Sequence, residues 1–359
     1  MPRRRLLFYT HGLVGGGGER VWALTASGLR RRGHDVSFAV DFEANENAHL
    51  LVPEVHQHVL GKGHGGAVAK LALVLQQERP DVAFAAIGAS NLKLLAAKAL
   101  SGWSGAAVVS AHGRYDAESR FLGKANYGAT VLTSRLAART IAVSEDLRGY
   151  LIERFRARAD RVVTIYNGVA LPARELVPDA RALSARENIV LGVGRSVPEK
   201  GFKTLIEAFA RSTLARRLVL AGEGPERPKL ERMIAELGVA DRVDMPGYVK
   251  DLAPVYAQGK VLVLPSRSEA FGNVIVEALG YGLPVVATRS GGPDEILRAG
   301  RDGRLVAIDD AVAMAREIDA TLAAPGDPAT HRARAEDFSL DHALDRFEQL
   351  IEAVVSETA

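Results

Sequence analysis

Val261-Leu262-Val263-Leu264-Pro265-Ser266-Arg267-Ser268-Glu269-Ala270-Phe271-Gly272-Asn273-Val274-Ile275-Val276-Glu277-Ala278-Leu279 decides the fold. Its first four residues are uniformly apolar and stop at a Pro-Ser turn, as in a strand buried on both faces. From Asn273 a mostly apolar stretch reads as a helix that ends in Tyr281-Gly282-Leu283-Pro284. A second apolar run, Val285-Val286-Ala287-Thr288, reads as the next strand. Strand, helix and strand in this order form a unit of a parallel sheet. The first strand delivers Glu269 at its C-terminal end, and the helix delivers Glu277 about two turns later. In open α/β sheets ligands bind at that edge. Two carboxylates beside a helix N-terminus suit a ligand with both hydroxyls and phosphates.

The same alternation runs along the whole chain. Strands are expected at Leu6–Tyr9, His34–Val40, Val55–Leu60, Asp81–Ala86, Ala106–Ser110, Thr140–Val143 and Arg161–Ile165. Helices fall between them, among them Glu19–Arg32 and Ala67–Glu78. Leu171 to Glu187 breaks the rhythm with two prolines, several charges and no clear period, and reads as a linker. A second alternation follows, with strands at Ile189–Val193, Leu218–Ala221, Val243–Met245, Val261–Leu264 and Pro284–Ala287. Helices are expected at Lys203–Ala210, Pro228–Leu237 and Asn273–Tyr281. Two Rossmann-like halves are therefore expected, over residues 1–170 and 188–338, with a linker at 171–187. In the tail 339–359, Leu340, Leu344, Phe347, Ile351 and Val354 have helical spacing and need a groove.

Composition narrows the class. A chain of 359 residues, 47% hydrophobic and 25% charged, suits two globular domains. There is no cysteine, so disulfides and thiolate chemistry are excluded. No apolar run approaches the roughly 18 residues of a membrane span. Met1-Pro2-Arg3-Arg4-Arg5 leads into a short strand rather than a signal-peptide core, which points to the cytoplasm. A net charge of +3 is too small to argue for nucleic acid.

Several loops at strand ends carry candidate chemistry. Gly192-Val193-Gly194-Arg195-Ser196 ends a strand, and Lys200-Gly201 precedes a helix. Arg195 and Lys200 on one loop can clamp a diphosphate; a tight turn with two solvated cations reads equally well. Gly222-Glu223-Gly224-Pro225 is either a ligand-side loop or a simple turn. The loop through Gly247, Tyr248 and Val249 offers backbone that can read a nucleobase edge. Near the N-terminus, Gly15-Gly16-Gly17-Gly18-Glu19-Arg20 joins a strand to a helix, but is neither a strict dinucleotide fingerprint nor a Walker loop. His112 follows a strand, with Arg114, Tyr115 and Asp116 behind it. His11 also stands at a strand end and has no assigned role. Between Arg114 and Arg161 there are ten Lys/Arg and six Asp/Glu. Such a run is a solvated face or, less commonly, a surface for anionic lipid. Arg30-Arg31-Arg32 fits the negative end of a helix dipole.

These pieces share an order and spacing. The chain resembles the retaining glycosyltransferases of the GT-B fold known as family 4. The resemblance rests on Gly16-Gly17-Gly18-Glu19-Arg20, Asn167-Gly168-Val169, Gly194-Arg195 with Lys200-Gly201, Gly222-Glu223-Gly224-Pro225, and the glutamate pair with Phe271-Gly272 and Gly282-Leu283-Pro284-Val285-Val286. It implies two doubly wound domains facing across a cleft, with the C-terminal helix packing back toward the N-terminal domain. Arg195 and Lys200 would hold the donor diphosphate. Glu277 would take the ribose hydroxyls, and Glu269 would face the transferred sugar. The amides of Phe271, Gly272 and Asn273 would cap oxygens of the donor, with Ala270, Gly222 and Val249 beside them. Gly16 and Gly17 would approach the donor from the other domain. Gly18, Arg114 and Tyr115 would lie on the acceptor side. His112 would contact the sugar or orient the reaction.

The implied reaction moves a sugar from a nucleoside diphosphate, most often UDP in this family, to an acceptor hydroxyl. A lipid-linked or surface-polysaccharide glycan is the expected acceptor, with peripheral contact at the inner membrane face. There is no Asp-x-Asp triplet, and no metal or cofactor is expected. Two rivals share the fold plan: a sugar-nucleotide epimerase, and a nucleotide-sugar binder without catalysis. A phosphorylase of the familiar type would need a cofactor lysine in a much longer chain.

Overall fold

In the computed structural model, residues 2–44, 46–86, 88–114, 128–298 and 300–358 are described. They form two compact units, Met1–Val169 with Ser339–Ala359, and Ala170–Phe338.

The first unit is built on β1 (Arg5–Thr10), β2 (Asp35–Val40), β3 (His56–Val59), β4 (Val82–Ala86), β5 (Ala106–Ala111), β6 (Arg139–Ala142) and β7 (Val162–Thr164). All neighbours pair in parallel, in the order β3-β2-β1-β4-β5-β6-β7. The order reverses between β1 and β4, which is the switch point where such sheets open a crevice for ligands. Strand alternation feeds two cores. Leu6 and Phe8 face one that includes Trp22, Ala26 and Leu29 of helix Gly17–Arg31. Leu7 and Tyr9 face the other, with Leu71 and Leu75 of helix His64–Glu78 and Leu94 of helix Ala89–Ser101. Covering both faces is why these strands are almost continuously apolar.

The C-terminal helix Leu340–Thr358 completes the first of these cores. Leu344, Phe347, Ile351 and Val354 are buried in it, with Leu340 partly covered at its edge. Its groove is thus supplied by the first unit. Gly28 makes the approach possible: a Cβ there would stand 2.6 Å from Leu344 Cδ1. Arg32 donates to Asp345 at 2.6 Å and Glu348 at 2.8 Å, and Arg4 forks onto Glu352 at 3.0 and 2.7 Å. The helix dipole accordingly accounts for only part of Arg30-Arg31-Arg32: Arg32 ties the C-terminal helix down.

The second unit repeats the plan. Its strands are β8 (Ile189–Val193), β9 (Arg217–Ala221), β10 (Val243–Gly247), β11 (Val261–Leu264), β12 (Val285–Thr288) and β13 (Gly303–Val306). The order is β10-β9-β8-β11-β12-β13, again all parallel, with the reversal between β8 and β11. The last strand escaped the sequence pattern because it is a short edge element with a charged residue inside it. The segment expected as a linker is part of this unit. Asp179 caps helix Ala180–Ala185 through the Ala182 amide at 2.7 Å. Lys260 and Arg186 clamp that helix, donating to the carbonyls of Ser184 and Gly259 at 2.9 and 2.7 Å. Leu171 and Pro172 pack over Gly280. The apolar contacts are single residues spread over a charged stretch, which is why no period betrays them.

Candidate functional site

In the second unit the loops after β8 and β11 flank the switch point. Lys200, after β8, donates from Nζ to Glu269 Oε2, after β11, at 2.5 Å. Ser266 Oγ donates to the same oxygen at 3.1 Å, while Glu269 Oε1 makes no hydrogen bond to a described residue. The pair is partly open, with side-chain exposures of 22% for Lys200 and 14% for Glu269. Arg195 stands on the same loop as Lys200 and is exposed, and its guanidinium has no side-chain partner among the described residues. Fixed positive charge thus borders an accessible carboxylate.

Backbone packing shapes this edge. Gly194 ends β8 and Gly222 ends β9; a Cβ on Gly222 would lie 1.8 Å from the Gly194 carbonyl oxygen. With a φ of +141° as well, Gly222 admits no other residue without backbone movement. Its amide donates to the Gly247 carbonyl at 2.8 Å, which brings the half-buried Val249 loop alongside.

Gly272 caps helix Asn273–Gly280 with a φ of +107°. Ahead of it, Glu269 is pinned by its backbone: its amide donates to Ser290 at 3.0 Å and its carbonyl accepts from Gly292 at 2.8 Å. Ala270 and Phe271 are buried, and Phe271 meets Phe338 edge-on at 5.6 Å. This bracing aims the helix N-terminus, with its positive dipole end, at the crevice. Glu277 is half-buried between the buried Ile275, Val276, Ala278 and Leu279. Tyr256 OH donates to its Oε2 at 2.6 Å, and the Tyr256 ring stacks on Tyr281 at 5.1 Å. The Tyr281 phenol is pushed up by burial and then by Asp251 and Glu277, so it stays protonated. Tyr256, Ser266 and Tyr281 were not foreseen from the sequence. A tyrosine on a six-residue helix carries no linear signal.

In the first unit Gly16, Gly17 and Gly18 lie where expected, at the start of helix Gly17–Arg31 after β1. Asn47 braces the loop by donating to the carbonyls of Val14 and Gly16 at 2.5 and 3.2 Å. His112 follows β5 on the same sheet edge. Its Nε2 lies 2.9 Å from Ser110 Oγ, and Nδ1 is sealed from solvent without a hydrogen-bond partner among the described residues. Trp22 meets the ring edge-on at 5.5 Å. Burial lowers its pKa from 6.5 to about 4, so the ring is neutral at pH 7 and is no proton donor as an imidazolium. Arg114 donates to Asp146 at 2.8 Å and lies 4.3 Å from the Tyr150 ring centroid. Tyr115 lies outside the described residues. Among the described residues no three His, Cys, Asp or Glu cluster as metal ligands would.

Comparison with known proteins bears on both units. Residues 15–171 match the family model described as Glycosyltransferase Family 4, and residues 174–337 match Glycosyl transferases group 1. The lipopolysaccharide core biosynthesis glycosyltransferase LpsE of Rhizobium meliloti is 40% identical over 168 residues, covering 46% of this chain and 48% of that protein. The D-inositol 3-phosphate glycosyltransferase of Streptomyces scabiei is 34% identical over 231 residues, or 58% of this chain and 52% of the relative. The matches thus span about half the length of these curated relatives. Among solved structures, Anabaena Alr3699/HepE in complex with UDP and glucose superimposes with a TM-score of 0.84 at 21% identity, over 98% of this chain and 100% of that one. Sucrose-phosphate synthase from Thermosynechococcus elongatus gives 0.83 at 20% identity, over 99% and 100%.

Proposed function

The chain belongs to the family 4 glycosyltransferases of the GT-B fold, and on that premise we propose that it transfers a sugar, with retention of configuration, from a nucleoside diphosphate sugar to a glycan hydroxyl. The observation that carries this reading is the Lys200–Glu269 pair at the switch point, with Arg195 beside it and a helix N-terminus behind it. Breaking a glycosyl phosphate bond leaves negative charge on the departing diphosphate. Arg195 and Lys200 supply fixed positive charge for it, and stabilisation aimed at developing charge is the largest catalytic lever available. Glu277, steadied by Tyr256, takes the ribose hydroxyls. Glu269 presents Oε1 to the transferred sugar. Neither glutamate acts as a nucleophile, and the leaving phosphate takes the acceptor proton. His112 contributes a neutral ring that can contact a sugar hydroxyl but does not donate as an imidazolium. The two cations supply the charge a metal would otherwise provide, so the reading includes no metal and EDTA should leave the rate unchanged.

A UDP-sugar is the proposed donor, supported by the UDP complex of the Anabaena protein. A lipopolysaccharide-type glycan is the proposed acceptor, supported by the Rhizobium relatives. Peripheral docking on anionic lipid at the cytoplasmic membrane face is also proposed, supported by Leu132 and Leu136, 55% and 56% exposed, within the Lys/Arg-rich stretch Arg114 to Arg161. Among the described residues no helix is long and apolar enough to cross a membrane. The test is incubation with UDP- and GDP-sugars and candidate acceptors, reading product mass, anomeric configuration and released nucleotide. Conversion of the donor sugar without acceptor would replace this reading with epimerisation. Donor binding without turnover on any acceptor would reduce it to a binder.

A further inference from the structure

The switch point of the first unit holds a cluster that the transfer chemistry above does not use. Asp41 follows β2 and has no exposed side-chain surface. Three groups converge on it. Tyr9 on β1 donates from its hydroxyl to Oδ1 at 2.8 Å, and Lys93 on helix Ala89–Ser101 donates from Nζ to Oδ2 at 2.5 Å. His11, one residue past β1, places Nδ1 2.5 Å from Oδ2. Burial would raise the Asp41 pKa, but the hydrogen bonds from Lys93, His11 and Tyr9 outweigh it and hold the group below its usual range. Burial first, then the Asp41 charge, pushes the Tyr9 phenol up, so it remains a donor.

An ionised carboxylate only accepts hydrogen bonds, so Nδ1 of His11 carries the shared proton, and in the neutral ring that leaves the lone pair on Nε2. The His11 side chain is 58% exposed, and Nε2 has no hydrogen-bond partner among the described residues. Phe42 meets the ring edge-on at 4.9 Å and fixes its plane. Gly12 permits this, because a Cβ there would stand 2.9 Å from Phe42 Cζ. Neutralising Asp41 does not require His11: Lys93 already does that, and Tyr9 satisfies the other oxygen. What remains is an imidazole with one nitrogen anchored and the other presented as an acceptor at the crevice where such sheets bind ligands. A buried carboxylate that fixes the tautomer of a working histidine is a recurring device.

We propose that His11 binds the sugar-accepting substrate, with Nε2 receiving a hydrogen bond from one of its hydroxyls. Asp41 is the positioning residue that sets the tautomer, with Lys93 and Tyr9 holding Asp41. The ligand group must be a donor, which selects a hydroxyl and rejects an ionised phosphate at this point. The inference rests on the transfer reading.

The test is steady-state transfer from UDP- and GDP-hexoses to octyl glycosides and deacylated lipopolysaccharide core oligosaccharide. His11→Ala should raise the acceptor KM about tenfold, the worth of one hydrogen bond, with the donor KM within about twofold of wild type. His11→Gln retains an acceptor oxygen and should recover part of the loss. Nitrogen-15 spectra of labelled histidine should show His11 protonated on Nδ1 at neutral pH. An unchanged acceptor KM in His11→Ala, or an Nε2-protonated ring, overturns this inference and leaves the transfer reading intact. A wild type that transfers to no acceptor overturns both.

Discussion

Lys200–Glu269 and Lys93–Asp41 are the same kind of ion pair set in two different solvents. Each closes at 2.5 Å, and each sits where the strand order of its sheet reverses. The first leaves 22% and 14% of its side chains exposed; the second leaves 7% and none. A partly open pair gives up its partner at lower cost, because water and a ligand phosphate both reach the lysine. A buried pair cannot, since parting the charges strands one of them in a low-dielectric interior. Lys200 is therefore free to exchange a carboxylate for a diphosphate, whereas Lys93 is committed to Asp41. The same geometry suits the proposed donor site in one unit and the proposed footing of His11 in the other.

The contrast is easiest to break by removing one carboxylate from each pair. Asp41→Asn should cost about 3–5 kcal/mol of stability, because Lys93 is left charged and buried. Glu269→Gln should cost clearly less than Asp41→Asn, its lysine being partly reached by water. Calorimetric unfolding of both variants checks this, and equal losses would erase the distinction. Next in size is the catalytic consequence. Lys200→Ala should lower the rate of nucleotide release about 10²–10³-fold with the melting temperature nearly unchanged. Wild-type turnover there would remove Lys200 from the site.

Acid titration sharpens the comparison from the side of the first unit. The folded His112 titrates near pH 4 and the unfolded one near 6.5, so between these values the native state binds fewer protons. Its contribution is intact above pH 6.5 and is lost as the pH falls toward about 4. Melting temperatures across that window should fall less steeply in His112→Gln than in the wild type. Asp41, whose pKa is lowered, acts below the ordinary carboxylate range, so the two effects separate on the pH axis. The smallest effect is expected at Tyr256→Phe. Loss of one hydrogen bond to Glu277 should weaken donor binding about fivefold, or about 1 kcal/mol, as read by isothermal titration with UDP.

Much of the second unit's candidate site was legible in the chain because its parts are local. Glu269 and Glu277 are eight positions apart on one strand-helix junction. Arg195 and Lys200 share a loop, and the glycines mark where backbone meets backbone. Each fragment alone had a bland reading, and their common order gave them meaning. The first unit's cluster resisted the same treatment. Tyr9, His11, Asp41 and Lys93 come from three separate segments, and each looks ordinary among its neighbours. One signal was present: Lys93 interrupts the apolar run around Leu92, Leu94 and Leu95, and a lysine on a buried helix face needs a partner. The residues 171–187 read as a linker for a related reason, since their contacts are with distant loops and impose no period.

The amino-acid sequence by itself determined the alternation of strand and helix, the two parallel sheets and the loops that end at their carboxyl edges. Those follow from apolar periodicity and from glycine and proline, which act over a few residues. Only the tertiary structure decided which charges meet and which remain open to water; the packing of the tail beyond Phe338 on the first unit was already implied by the family resemblance. Solvent access and charge pairing depend on everything packed around a group, and no short stretch of chain encodes them.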